Sequence, residues 1–108
     1  GRAVVFDTGW EAYAGRPQYD RCPDIDYDLV DALIDRGAKL LMVDSPGLYG
    51  GARSDRHSEM DLHVVDRGAI VVENLCNVKR LPLTFTLYCF PLNVRDQNWL
   101  PARVVASW

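Results

Sequence analysis

Several things are scarce or missing in this sequence. Cysteine appears three times, at Cys22, Cys76 and Cys89, an odd number with no CxxC or zinc-finger spacing. That argues against a disulfide framework and a structural zinc knuckle, and it fits a reducing, cytoplasmic setting. No apolar run approaches the roughly 18 to 20 residues a bilayer span needs, so no membrane partner is expected. The first residues, Gly1 and Arg2, lead straight into an apolar stretch, without the charged and hydrophobic regions of a signal peptide. Basic clusters are absent as well: ten Arg and two Lys are scattered through a chain of net charge -3, which gives no electrostatic reason to bind nucleic acid. Histidine is limited to His57 and His63.

What is present suits one ordinary α/β domain. The 108 residues match the commonest domain size, with 48% hydrophobic and 25% charged side chains. Ala3–Phe6 reads as a buried strand closed by Asp7-Thr8-Gly9. The stretch from Trp10 to Pro23 loses its period and reads as a long irregular connection carrying Trp10, Tyr13 and Tyr19. Asp26 is placed to cap a helix over about residues 27 to 36, with Leu29, Val30, Leu33 and Ile34 at helical spacing and Gly37 as the stop. Lys39–Asp44 forms a second strand, and strand, helix, strand in that order favours a parallel pair.

Leu48–Asp55 is a Gly-rich polar connection. Ser58–Arg67 then reads as a short second helix, with Met60 and Val64 four apart and Gly68 as its end. Ile70–Val72 is a third buried strand that delivers Glu73 and Asn74 to its C-terminal end, where parallel sheets usually place ligands. Leu75, Val78 and Leu81 suggest a helical turn ended by Pro82. Thr84–Leu92 and Ala102–Ala106 complete the set as strands on either side of a turn-rich stretch.

The candidate chemistry lies between His57 and Asn74. A carboxylate directly after an apolar strand must be paired, hydrogen-bonded or metal-bound, so Glu73 either caps the next turn, pairs with an arginine such as Arg80 or Arg103, or serves a site. His57 and Asp61 are one helical turn apart and share a face, whereas His63 points about 200° away from Asp61. Only one of these sets can face Glu73. An imidazole and two carboxylates make a workable ligand set for Zn²⁺ or Mn²⁺, and the competing reading of each histidine is a solvated or satisfied residue. Thiol chemistry finds no supporting spacing, since Cys22 is followed by Pro23 and has no base nearby in sequence.

The order of segments carries a further signal. Phe6-Asp7-Thr8-Gly9-Trp10, Val43-Asp44-Ser45-Pro46, Gly68 to Leu75 (GAIVVENL), Leu81-Pro82, Pro91-Leu92 and Pro101 to Ala106 (PARVVA) together resemble the C-terminal half of the cyclase family of metal-dependent hydrolases. That family includes kynurenine formamidase and isatin hydrolase. The resemblance implies a β/α sandwich of the swivelling-domain type, present here as its C-terminal half, with zinc or manganese activating water against an amide, formamide or lactam-type carbonyl of a small-molecule substrate. It makes Glu73 a metal ligand and puts Thr8 near the site.

Two departures accompany the resemblance. The family's N-terminal motif, His-x-Gly-Thr-His-x-Asp-x-Pro-x-His, has no counterpart in this chain. The family's histidine twelve residues before the glutamate is replaced by Asp61, which leaves Asp61, His57 and His63 as alternative second ligands. Two expectations follow. In one, the chain is part of a hydrolase completed by a complementary chain that carries the His-rich motif. In the other, it is a non-catalytic binding module that forms a homo-oligomer, because half of a shared sheet exposes strand edges and apolar faces.

Overall fold

A computed structural model describes residues 2–51 and 55–108. The protein is a mixed α/β domain in which a three-stranded parallel sheet carries two helices and a separate antiparallel hairpin follows. Strand β1 (Arg2–Phe6) pairs with β2 (Ala38–Val43), and β2 pairs with β3 (Ile70–Val72), all parallel, so that β2 is central. Helices α1 (Tyr27–Asp35) and α2 (Asp55–Asp66) form the two crossovers.

Local chemistry sets the ends of these elements. The Asp26 carboxylate accepts a 3.0 Å hydrogen bond from the Asp28 amide and caps α1. The chain leaves α1 through Gly37 at φ 95°, whose amide donates to the Ile34 carbonyl at 2.8 Å. An αL residue is what that exit requires. Gly68, at φ 77°, ends α2 in the same way.

Val30 and Ile34 of α1 and Met60 and Val64 of α2 form one buried cluster with Leu41 and Val43 of β2, so both helices cover the same face of the sheet. Strand alternation then puts Ala3, Val5, Leu40, Met42, Ile70 and Val72 on the other face, in register across the three strands. Met42 is fully buried there, but Ile70 is 58% exposed.

Among the described residues, the hairpin strands β4 (Thr86–Pro91) and β5 (Ala102–Ser107) pair only with each other. They stand off the parallel sheet across an open groove of about 650 Å³, walled by Ala3, Lys39 and Leu40 on one side and Leu83, Phe85 and Leu87 on the other.

The structure departs from the sequence reading in four places. The first and third strands are not buried as expected, since no residue of β1 or β3 is fully enclosed; both are edge strands of a three-stranded sheet whose helices cover one face. Residues 10–23 are not wholly irregular: 3-10 helices run from Trp10 to Tyr13 and from Pro17 to Asp20. Their three-residue bonding leaves no apolar period to read. Helix α2 begins at Asp55, three residues before the expected Ser58, because its first turn is polar and carries no hydrophobic signal. The turn expected over Leu75 to Leu81 narrows to a 3-10 helix at Val78–Arg80, entered through Asn77 in the left-handed conformation. Part of the Leu48–Asp55 connection, at 52–54, and Gly1 lie outside the described residues. Among the described residues, no helix is long and apolar enough to cross a membrane.

Candidate metal centre

Glu73 follows β3 immediately, and the backbone beyond it is tied to the end of β2. The Asn74 amide donates to the Ser45 carbonyl at 2.9 Å and the Leu75 amide to the Val43 carbonyl at 3.1 Å. Asn74 takes φ 58°, a left-handed turn that asparagine tolerates better than most side chains. The chain therefore swings away directly after Glu73 and leaves its carboxylate at the C-terminal edge of the sheet.

Helix α2 brings the other two groups. His57 Nε2 lies 3.3 Å from Asp61 Oδ2, one turn along the same helix, and 3.4 Å from Glu73 Oε1. Ligand atoms of all three residues fall within 4.8 Å of one another. The side chains are partly enclosed, His57 at 17%, Glu73 at 24% and Asp61 at 36% exposure. Among the described residues, the ionic contact of Glu73 is with this histidine and not with Arg80 or Arg103.

These polar groups are poorly satisfied. His57 Nδ1, Asp61 Oδ1 and Glu73 Oε1 are buried atoms with no hydrogen-bond partner among the described residues. Burial, and then the neighbouring Asp61 carboxylate, raise the Glu73 pKa to about 8. Burial also raises Asp61, against the opposing pull of His57. Two partly enclosed carboxyl groups beside one imidazole resist ionising together unless a cation joins them, and unsatisfied polar atoms of this kind are rare without a reason.

A divalent cation held through His57 Nε2, Asp61 Oδ2 and Glu73 Oε1 fits the cluster in charge and in dimension, and it would take up one of the three unsatisfied atoms, Glu73 Oε1. Ligand bonds of about 2.0 to 2.2 Å in a tetrahedron put neighbouring ligand atoms about 3.3 to 3.6 Å apart. The two measured separations from His57 Nε2, 3.3 and 3.4 Å, fall within that range. One nitrogen and two oxygens suit Zn²⁺ or Mn²⁺.

The loop after β2 makes room for the imidazole. A Cβ at Gly47 would sit 2.3 Å from His57 Nδ1, 2.8 Å from Cε1 and 3.6 Å from Glu73 Oε1. Both ring contacts are below any real van der Waals separation, and the atoms met belong to a ring held between helix and strand. Gly47→Ala is therefore expected to turn His57 out of the cluster. The fold should persist at a cost of about 1 to 3 kcal/mol, while affinity for a divalent cation falls at least about tenfold. Calorimetric titration of the variant alongside its circular dichroism spectrum checks this, and unchanged affinity would show that the close approach is immaterial.

Thr8 stands at the end of β1, where its amide and hydroxyl donate to Asp44 Oδ1 at 3.0 and 2.6 Å. The hydroxyl is thus committed to Asp44 and is not one of the three clustered groups. His63 faces α1: its Nε2 is 2.6 Å from Asp31 Oδ1, and its ring meets Tyr27 edge-on. Arg67 shares the same Asp31 at 2.6 Å, which makes that side of α2 an ion-pair seam between the helices.

Two residues at this sheet edge escaped the sequence reading. Asp44 is fully buried, and Tyr19 donates its phenol proton to Asn74 Oδ1 at 3.0 Å. Burial and the Asp44 carboxylate raise the Tyr19 pKa, so the phenol keeps its proton. Asp44 carried a readable signal, a carboxylate ending the apolar run KLLMVD, the same signal that singled out Glu73. Tyr19 carried none beyond its place in a long connection. No model of a known protein family matches the chain, and no curated protein matches it significantly.

Proposed function

We propose that His57, Asp61 and Glu73 hold a zinc or manganese ion and that the chain is the metal-holding part of a hydrolase acting on an amide, formamide or lactam-type carbonyl. The observation that carries the reading is the cluster of three half-buried ligand residues, each with a buried polar atom that has no hydrogen-bond partner among the described residues. The reaction class rests on the resemblance to the C-terminal half of the cyclase family, in which Glu73 takes the place of a metal ligand. When bound, the ion supplies Lewis acidity toward a carbonyl and toward water.

The chain's own residues supply the rest. Asp61 and Glu73 contribute two negative charges that neutralise a dication, which favours uptake into an enclosed site. Asp61, one turn from His57 on α2, keeps the imidazole directed at the strand end. Tyr19 donates its phenol proton to Asn74 Oδ1 and so ties the connection after β1 to the turn that follows Glu73. The family's N-terminal His-rich motif, absent here, would come from a complementary chain and complete the pocket.

Titration of the purified chain with Zn²⁺ or Mn²⁺ tests the reading. Uptake of one equivalent with micromolar or tighter affinity is expected, weakened at least about tenfold in Asp61→Asn. Absence of saturable binding for both ions would overturn the metal site and the hydrolase with it. A second reading, that the chain is a binding or homo-oligomerisation module, is favoured by the exposed apolar hairpin.

A further inference from the structure

The loop that follows β2 is buried where connections usually are not. Residues 44–48 are all buried, although a loop inside a protein carries backbone polar groups that water cannot reach. Much of that backbone is satisfied by the chain itself. Pro46 has no amide proton to place. The Ser45 carbonyl accepts from the Asn74 amide at 2.9 Å, and the Leu48 carbonyl from the Ile25 amide at 2.6 Å. The Gly47 carbonyl accepts twice, from the Ser45 hydroxyl at 2.9 Å and from the Cys22 thiol at 3.6 Å, so both of its lone pairs are used. Ser45 is fully buried and Cys22 nearly so. Burial raises the Cys22 pKa, and the sulfur keeps the proton that it donates.

What this loop touches is the imidazole. The Gly47 α-carbon faces the Nδ1 and Cε1 edge of the His57 ring so closely that a methyl group would not fit between them. A ligating histidine is usually aimed by a hydrogen bond at its second ring nitrogen. His57 Nδ1 has no such partner among the described residues, so the aim of the ring depends on what packs against that edge. Gly47 has no side chain with which to anchor itself. Its place is set by the groups that hold its carbonyl.

We infer that Ser45 and Cys22 are positioning residues for His57: by fixing the Gly47 carbonyl from two sides, they keep the loop against the imidazole and direct Nε2 at Asp61 and Glu73. Neither side chain is one of the clustered ligand groups. Cys22 comes from the connection after β1 and Ser45 from the end of β2, so two separate segments converge on one oxygen beside a ring that arrives from α2. For its effect on metal uptake, this role rests on the proposed metal site.

NMR of the metal-free chain, with its histidines labelled, tests the positioning by itself. In the unaltered chain, strong Overhauser contacts are expected between the Gly47 α protons and the His57 Cε1 proton, with one set of His57 ring signals. Their absence would overturn the inference without any variant. Ser45→Ala, and Cys22→Val, an apolar residue of similar size, should each weaken those contacts at least about twofold and broaden or double the His57 signals, while the His63 ring, held by Asp31, keeps its own. Zn²⁺ titration then reads the consequence: affinity should fall about tenfold in Ser45→Ala and about 100-fold in the double variant. Cys89→Val, on β4, should bind as the parent does. Unmoved His57 signals in the variants, or full Zn²⁺ affinity in variants of a parent that binds the ion, would overturn the inference. A parent that takes up no metal, with His57 signals that still respond to Ser45→Ala and Cys22→Val, would strike the metal site and leave the positioning standing.

Discussion

Glu73→Gln is expected to raise the thermal stability of the metal-free chain above pH 8 while abolishing its uptake of Zn²⁺ or Mn²⁺. The sign follows from where the proton sits. Folded, the Glu73 carboxyl keeps its proton to about pH 8, whereas in the unfolded chain it ionises near the ordinary 4.5. Across that window the folded state binds more protons than the unfolded one, so stability falls as pH rises, and above pH 8 the whole penalty remains. Glutamine imitates the protonated form and removes the dependence.

With the side chain 24% exposed, part of the shift is screened by solvent, which leaves about 2 to 3 kcal/mol. In a chain of this size that is about 10 °C in melting temperature above pH 8, with little difference near pH 5. Metal reverses the order. A bound dication requires the carboxylate, so affinity in the parent chain should rise through the same window and saturating metal should flatten its alkaline decline. Melting scans of both proteins at three pH values, with and without metal, decide the matter. A variant less stable than the parent at every pH would mean that Glu73 is structurally satisfied and the site misread.

The second large effect lies at Asp44. This carboxylate is fully buried and accepts hydrogen bonds from the Thr8 amide at 3.0 Å, the Thr8 hydroxyl at 2.6 Å and the Glu11 amide at 3.4 Å. It ties the end of β1 and the first 3-10 helix to the end of the central strand. Asp44→Ala leaves three donors facing a dry gap and should cost about 3 to 5 kcal/mol. Against a total stability of about 5 to 15 kcal/mol, such a loss leaves a substantial unfolded fraction. Asp44→Asn keeps an oxygen for Thr8 but turns an NH₂ toward the Glu11 amide, so about 1 to 2 kcal/mol is expected. Urea unfolding midpoints rank the three proteins, and equal stability of the alanine and asparagine variants would remove the hydrogen-bonding account.

The strands and helices were legible because the chain punctuates them plainly. AVVF, KLLMV and IVV are apolar runs of strand length, and Gly37 and Gly68 stand where helices must stop. The choice between the two histidines stayed open in the sequence, because the expected helix begins at Ser58, one residue past His57, and only the observed phase of α2 separates them. Met60 and Val64 point into the core. At about 100° per residue His57 then lies within about 20° of Val64, while His63 is about 100° away from it and turns toward α1. Gly47 was not legible, because its use depends on a ring arriving from a helix ten residues later. The standing of the hairpin was hidden for a similar reason: alternation in β4 and β5 identifies strands but does not say which sheet they join.

The spacing of the clustered residues has a consequence for length variation among descendants of this sequence. His57 and Asp61 ride on one helical turn, so a single inserted or deleted residue between them would swing one of the pair about 100° around the axis. The span from Asp61 to Glu73 contains the turn between Asp66 and Ile70, outside both helix and strand, where an added residue is absorbed without rotating either element. Chains that keep the centre should therefore hold the three-residue gap fixed and let the longer gap drift, a pattern that separates a retained site from three polar residues that merely coincide.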